Sequence, residues 1–194
     1  MKTIKVKELM VPFEEYATVD EDANLYEAVL ALEKAQERFR QDRYRHRAVL
    51  VTDKKQNIVG KVSQLDLIRG LETGYKRIGD LRYVSHSGFT IEFVKSLIQK
   101  NQLWQRPLNE ICGKASNIIV KEIMYTPTEG EYVDEETTLD GAIHQLVMGR
   151  HQSLLVTRGD KIVGVLRLTD VFMEICKAMK ACQIREREGG SGTP

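Results

Sequence analysis

The chain has 194 residues, 42% of them hydrophobic, enough to bury a core in one or two small domains. With 29 Lys and Arg against 28 Asp and Glu the net charge is +1, so no overall field draws the chain to nucleic acid or to an acidic membrane, and any anion site must be local. Met1 to Met10 alternates lysine with apolar residues and lacks the core of a signal peptide, and no run reaches the about 20 apolar residues of a membrane helix, so a cytoplasmic protein without membrane insertion is expected.

In chain order, Lys7-Glu8-Leu9-Met10 leads to Val19-Asp20-Glu21, and Asn24 with Glu27 forms a capping-box pattern at the start of a helix. That helix carries Leu25, Ala28, Val29, Leu32 and Phe39 at helical spacing. Ala48 to Thr52 and the strand beginning Ile58-Val59-Gly60 flank a polar turn and predict a hairpin, after which a second helix starts near Gln64. Residues 74–116 do not repeat. Their glycines and serines mark loop, and Ile91 to Trp104 predicts an amphipathic helix with Phe93, Val94, Leu97 and Ile98 on its apolar side. This insertion is expected as a lid, an oligomer contact or an edge ornament.

The first pattern then returns. Lys121-Glu122-Ile123-Met124 and Val133-Asp134-Glu135 stand 114 residues after their counterparts, and Leu139 and Ala142 answer Leu25 and Ala28. Thr138 is the matching N-cap, and Leu139, Ile143, Leu146 and Val147 form the matching stripe. The offset falls to 105 at Arg150-His151 and Val156-Thr157, and to 104 at Gly164 and Asp170, so the first copy's helix runs nine residues longer. Ser153 to Thr157 and the strand around Gly164 form the second hairpin. The closing helix, from Leu168, shows Leu168, Val171, Phe172, Ile175 and Met179 on one stripe, a core face or a dimer seam. The expected fold is therefore α+β: repeat one over residues 1–73, a helical insertion over 74–116, repeat two over 117–184 and a disordered tail over 185–194, each repeat reading βαββα.

Gly60 and Gly164 sit inside strands, where glycine gives up packing and is found where a backbone or a ligand comes close. Six residues later Asp66 and Asp170 stand near helix starts, where the N–H groups and the dipole favour anionic oxygens. Either is a ligand carboxylate or a plain helix-dipole charge worth a few tenths of a kcal/mol.

The Lys-Glu-Leu/Ile-Met entry, the Val-Asp-Glu before a helix, the hairpin and the Gly-hydrophobic-x-Ser/Thr-x-x-Asp signature together resemble the tandem CBS domain pair, or Bateman module, over residues 3–73 and 117–182. The resemblance implies two repeats about a pseudo-two-fold axis, with clefts between them that bind adenine nucleotides or related adenosyl compounds in many members. It also implies a homodimer that regulates an unidentified partner protein. The cofactor expected is thus a regulatory adenosyl ligand, with Mg2+ beside its phosphates as an option.

Carried over residue by residue, Ser63 takes the phosphate role and Asp66 the ribose hydroxyls. In the second copy Asp170 fits, but Arg167 stands where the family prefers Ser or Thr, a change that removes the site or makes it favour phosphate, with Thr169 as a substitute donor. Leu50 and Leu155 replace the family's strand proline. The remaining nucleotide-binding wall is expected from Ala17, Thr18 and Val19 with Arg45, His46, Arg47 and Ala48, and from Tyr132 and Val133 with His151, Gln152 and Ser153, where Tyr132 stacks on a base and arginines hold phosphates. A solvated Arg-His loop is the plain alternative for His46 and His151.

Catalysis is not expected. His46, His86, His144 and His151 show no HExxH spacing, and the chain has no Walker loop and no Gly-x-Ser-x-Gly elbow. Three cysteines, Cys112, Cys176 and Cys182, are an odd number without CxxC spacing, which speaks against a disulfide framework and a zinc site. The arginines Arg38, Arg40, Arg43, Arg45 and Arg47 are interrupted by Glu37 and Asp42 and suit a helix C-terminus without nucleic acid. Two readings remain: a stand-alone nucleotide sensor, and a ligand-free CBS scaffold or dimerisation module acting through protein contacts.

Overall fold

The computed structural model describes residues 4–38, 47–72, 74–75, 90–103 and 108–189. The predicted helical positions Phe39 and Trp104 lie outside them, as do His86, Arg40 and Arg43. Both copies are βαββα. The first comprises β2 (Thr18–Asp20), α1 (Leu25–Arg38), β3 (Ala48–Thr52), β4 (Ile58–Ser63) and α2 (Gln64–Leu71). Between the copies lie α3 (Ile91–Asn101), α4 (Leu108–Ala115) and the single turn α5 (Val120–Ile123). The second comprises β5 (Tyr132–Asp134), α6 (Leu139–Gly149), β6 (Ser153–Arg158), β7 (Lys161–Arg167) and α7 (Leu168–Gly189), and a short β1 (Val11–Pro12) precedes everything.

Two compact units result, and their boundaries cut across the sequence repeats. Among the described residues, the repeat-one unit holds 17–38 and 47–126, and the repeat-two unit holds 4–16 and 127–189. The segment leading into each repeat therefore belongs to the body of the other. In the repeat-two unit, Val6 N–H donates to the Thr137 carbonyl, Lys7 N–H to Glu135 and Leu139 N–H to Ile4. In the repeat-one unit, Val120 N–H donates to Ala23, Lys121 N–H to Glu21 and Leu25 N–H to Ile118, the same three bonds 114 residues on. Val6 and Val11 are buried in the one unit and Val120 in the other, each contributing on the order of 2 kcal/mol through removal from water.

Both units use a mixed sheet. β2 pairs in parallel with β3, and β3 antiparallel with β4; β5, β6 and β7 repeat this, and β1 adds a fourth strand beside β7, Val11 opposite Val165. The counterpart of that last pairing is a single bridge between Lys61 and Tyr125, closed by two 2.9 Å backbone bonds. The glycines of the repeated motif lie under these crossings. A Cβ on Gly164 would stand 2.6 Å from the Val11 carbonyl oxygen, and one on Gly60 would stand 2.8 Å from Met124 Sδ and 3.1 Å from the Tyr125 carbonyl oxygen. What comes close at each glycine is backbone from the crossing segment.

The core of the repeat-one unit gathers Leu25, Ala28, Leu32, Val49, Val51, Val62, Leu67, Ala115 and Val120. The other gathers Val6, Val133, Ala142, Leu146, Leu154, Val156, Leu166 and Val171. The capping box is present: Glu27 N–H donates to Asn24 Oδ1 at 3.0 Å, and Asn24 N–H to Glu27 Oε2 at 2.8 Å. Thr138 is the N-cap of α6 without a side-chain cap bond. Sequence spacing overextends some stripes, since Val29 and Val147 are exposed, as are Phe172 and Met179 on α7. Helical periodicity marks a face but not how much of it the sheet covers. The insertion is not only ornament: α4 packs on α1 and α2, and Ala115 enters the core. On α3, by contrast, Ile91, Phe93, Val94 and Ile98 stay exposed. Residues 185–189, expected in the tail, continue α7, because Arg-Glu-Arg-Glu favours helix until Gly189 ends it; residues 190–194 lie outside the described residues.

Charge pairs hold the crossing segments to the turns before α1 and α6. Lys121 meets Glu21 at 2.6 Å, while Lys5 and Lys7 converge on Glu136 at 2.6 and 2.5 Å. The hydrogen bonds from Lys5 and then Lys7 lower the Glu136 pKa from an ordinary 4.5 to about 2.

Two outcomes are expected. Gly164→Ala meets rigid backbone and should cost ~2 to 3 kcal/mol in urea denaturation, whereas Gly60→Ala meets first a flexible Met124 side chain and should cost ~1 kcal/mol; equal losses would discard the difference in crossing geometry. For Glu136 the folded pKa is depressed, so its contribution is present above pH 4.5 and is lost as pH falls toward 2. Glu136→Gln should flatten the fall of melting temperature across that window, and an unchanged profile would show that the lysine pairs do not hold in solution.

Candidate functional site

In each unit one end of the sheet gathers the start of the parallel pair, the end of the last strand and the first turn of the closing helix. In the repeat-one unit Leu50 N–H donates to the Ala17 carbonyl at 2.8 Å, Thr18 lies opposite Leu50, and Ala48 opposite Ser63. Gln64 N–H then donates to the Arg47 carbonyl at 2.9 Å, which seats α2 at the mouth of the hairpin. The Leu50 bond explains what its side chain permits: a proline there would have no N–H for Ala17. Ala17 and Val19 pack against the core, while Thr18 and Arg47 are exposed. The Arg47 side chain makes no ion pair among the described residues.

Ser63 and Asp66 form a capping box. Asp66 N–H donates to Ser63 Oγ at 3.2 Å, and Asp66 Oδ2 accepts from Ser63 N–H at 2.9 Å and from the Ser63 hydroxyl at 2.6 Å. The carboxylate is thereby oriented, and its Oδ1 accepts no hydrogen bond among the described residues. Both side chains are half-buried. The chemistry available at this sheet end is an oriented anionic acceptor, with the exposed Thr18 hydroxyl and Arg47 guanidinium on the neighbouring strand starts.

The repeat-two unit has the same backbone and different chemistry. Tyr132 lies opposite Leu155, Ser153 opposite Arg167, and Leu168 N–H donates to the Gln152 carbonyl at 3.0 Å. Arg167 and Asp170 replace the capping box by a fork: Nε to Oδ2 at 2.5 Å and Nη2 to Oδ1 at 2.7 Å. The Arg167 side chain is 6% exposed and that of Asp170 12%. The guanidinium expected to seek phosphate is thus buried on its own carboxylate. Thr169 is half-buried beside it and Val133 is core. Tyr132 is exposed enough to offer a face, and Gln145 of α6 braces its strand by donating to the carbonyls of Gly130 and Tyr132 at 2.8 and 2.7 Å. Gln152 is exposed; His151 closes α6 through its N–H to Leu146, with its ring against Gly149. Arg45 and His46 lie outside the described residues.

Glu131, which precedes Tyr132 and Val133 in the expected wall, is buried, its carboxylate accepting from Thr128 N–H at 3.2 Å. One residue of this end was not expected. Tyr16 ends the crossing segment and is buried close to Arg167 and Asp170; burial above all, with Asp170 adding and Arg167 opposing, pushes its phenol up to about 12. Its counterpart 114 residues on is Gly130, so the repeat gave no signal for it. Among the described residues no three His, Cys, Asp or Glu side chains gather as a metal site, and no helix is long and apolar enough to cross a membrane.

Two βαββα bodies that exchange their leading segments, each with an aspartate in the first turn of its closing helix, define a tandem CBS pair. The CBS domain pattern matches residues 6–73 and 120–177, more than half of the chain, and the chain belongs to that family. Solved structures agree in fold. A CBS domain-containing protein from Bacillus anthracis is 17% identical, with a TM-score of 0.58 over 90% of this chain and 94% of that one. CBSX2 from Arabidopsis thaliana, a CBS-pair protein, is 19% identical, with a TM-score of 0.54 over 92% and 99%. A structure of CBSX2 in complex with AMP gives 17% and 0.55 over 90% and 98%. No curated protein matches the chain.

The two helix starts should respond differently to loss of their aspartates. Asp66→Ala removes a cap and should cost ~1 kcal/mol. Asp170→Ala removes the carboxylate from a buried ion pair and should cost ~3 kcal/mol or more. Urea denaturation of both variants checks this, and near-equal losses would mean the Arg167 fork is solvated.

Proposed function

We propose that the chain is a regulatory CBS-pair module, not an enzyme, that binds an adenosyl ligand at the sheet end of the repeat-one unit and passes its occupancy to a partner protein in the cytoplasm. The observation that carries this is the Asp66 carboxylate, oriented by Ser63 and with Oδ1 accepting no hydrogen bond among the described residues, at the sheet end that also carries exposed Thr18 and Arg47. A carboxylate oxygen is an acceptor for the adjacent hydroxyls of a ribose, and the N-terminus of α2 with the Arg47 guanidinium suits phosphate. Mg2+ would accompany the phosphates. The AMP bound to CBSX2 supports the ligand class, and the exposed Phe172, Ile175 and Met179 of α7 support a homodimer. Signalling then requires the ligand to favour one of two states by ~1 to 3 kcal/mol. The buried Arg167–Asp170 pair favours the second reading, a ligand-free scaffold, for the repeat-two unit.

Thermal-shift assays with AMP, ADP, ATP, NAD and S-adenosylmethionine, with and without Mg2+, separate the two. A saturable rise with one compound is expected, equivalent to ~2.7 kcal/mol at a hundred times its dissociation constant. Asp66→Ala should abolish it. No response to any compound would discard the sensor in favour of the scaffold.

A further inference from the structure

The two sheet ends share one backbone plan and differ in what their carboxylates already hold. Ser63 and Arg167 are equivalent at the offset of 104, as are Asp66 and Asp170. On α2 the serine takes only Oδ2, with two donors, and leaves Oδ1 open. On α7 the arginine takes both oxygens through parallel bonds, at 2.5 and 2.7 Å. A bidentate, charge-assisted fork is among the stronger polar contacts a protein makes, and burial removes the water that would help a competitor exchange with it. Tyr16, from a second element, lies within electrostatic reach of the pair. It is held by its N–H to the Phe13 carbonyl at 3.0 Å and by the anchoring of β1 on β7, and its ring is buried near the pair. Gly130, at the equivalent position of the second copy, has no side chain to offer.

We infer that Arg167 is the resident occupant of the repeat-two carboxylate, so that the chain takes a single adenosyl ligand, on the repeat-one unit, and residue 167 sets the number of sites. This rests on the nucleotide reading of Ser63 and Asp66. The arginine already donates to both oxygens of Asp170, and a ligand seeking that carboxylate would have to break both bonds inside a buried pair. A serine at 167 instead re-creates on α7 the serine–aspartate capping box of α2 and frees one carboxylate oxygen.

Isothermal titration with AMP reads the stoichiometry directly. The wild-type chain should bind one equivalent, Asp66→Ala none, and Arg167→Ser two, with folding of each variant checked by circular dichroism. Two equivalents on the wild type would overturn the inference and leave the nucleotide reading standing, whereas a single wild-type equivalent retained by Asp66→Ala would overturn both the inference and the placement of the ligand on Ser63 and Asp66. A folded Arg167→Ser that still binds one equivalent would also overturn it. If Arg167→Ser does not fold, the wild-type and Asp66→Ala titrations decide alone. No AMP bound by the wild type or by Arg167→Ser would overturn this inference, and the nucleotide reading falls with it if the thermal-shift panel is also silent.

Discussion

The approach of the Val11 carbonyl oxygen to the bare α-carbon of Gly164, and of Tyr125 to Gly60, is the constraint on which the two units depend. A side chain at either glycine would hold the crossing segment off the last strand of the hairpin. With hydrogen there instead, the segment reaches backbone bonding distance and carries its apolar residues into the core of the other repeat's body. Neither βαββα body has a complete core alone: Val6 is supplied to one and Val120 to the other. Each repeat's entry segment is thus packing material for the body of the other repeat.

The same arrangement places the chemistry. Seating the closing helix at the mouth of the hairpin, through Gln64 N–H to Arg47 and Leu168 N–H to Gln152, puts a first-turn aspartate beside the starts of the parallel strands in both units. The backbone does not determine what that aspartate does. A serine three residues earlier makes a cap and leaves Oδ1 without a hydrogen bond among the described residues; an arginine donates to both carboxylate oxygens. One substitution on a duplicated scaffold converts an open acceptor into a closed structural pair. The neutral phenol of Tyr16, its pKa raised to about 12, fits beside that pair without bringing a competing charge.

Much of the fold was legible because duplication doubles each local signal. The Asn24–Glu27 capping box, the two hairpins and the helix starts at Gln64 and Leu168 follow from short-range rules of spacing, turn chemistry and side-chain hydrogen bonding. Register between the copies could be read from Gly60 and Gly164 and from Asp66 and Asp170. The stripes were less reliable, since Val29, Val147 and Met179 keep helical spacing yet face outward. Periodicity reports which residues share a face, and the width of the sheet beneath decides which of them are covered.

By itself the sequence determined the two βαββα bodies, their offset and the difference between Ser63 and Arg167, because these are matters of residue type and local order. The tertiary structure alone decided which body each leading segment completes, why the strand glycines must be glycine, and that Arg167 is buried on Asp170. The first two outcomes rest on contacts between residues far apart in the chain, and the third on the burial of a pair only three residues apart. Such contacts are set by burial and by competition among partners, and an arginine that can meet phosphate in solvent or a carboxylate in the interior carries no mark of the choice in its neighbours along the chain.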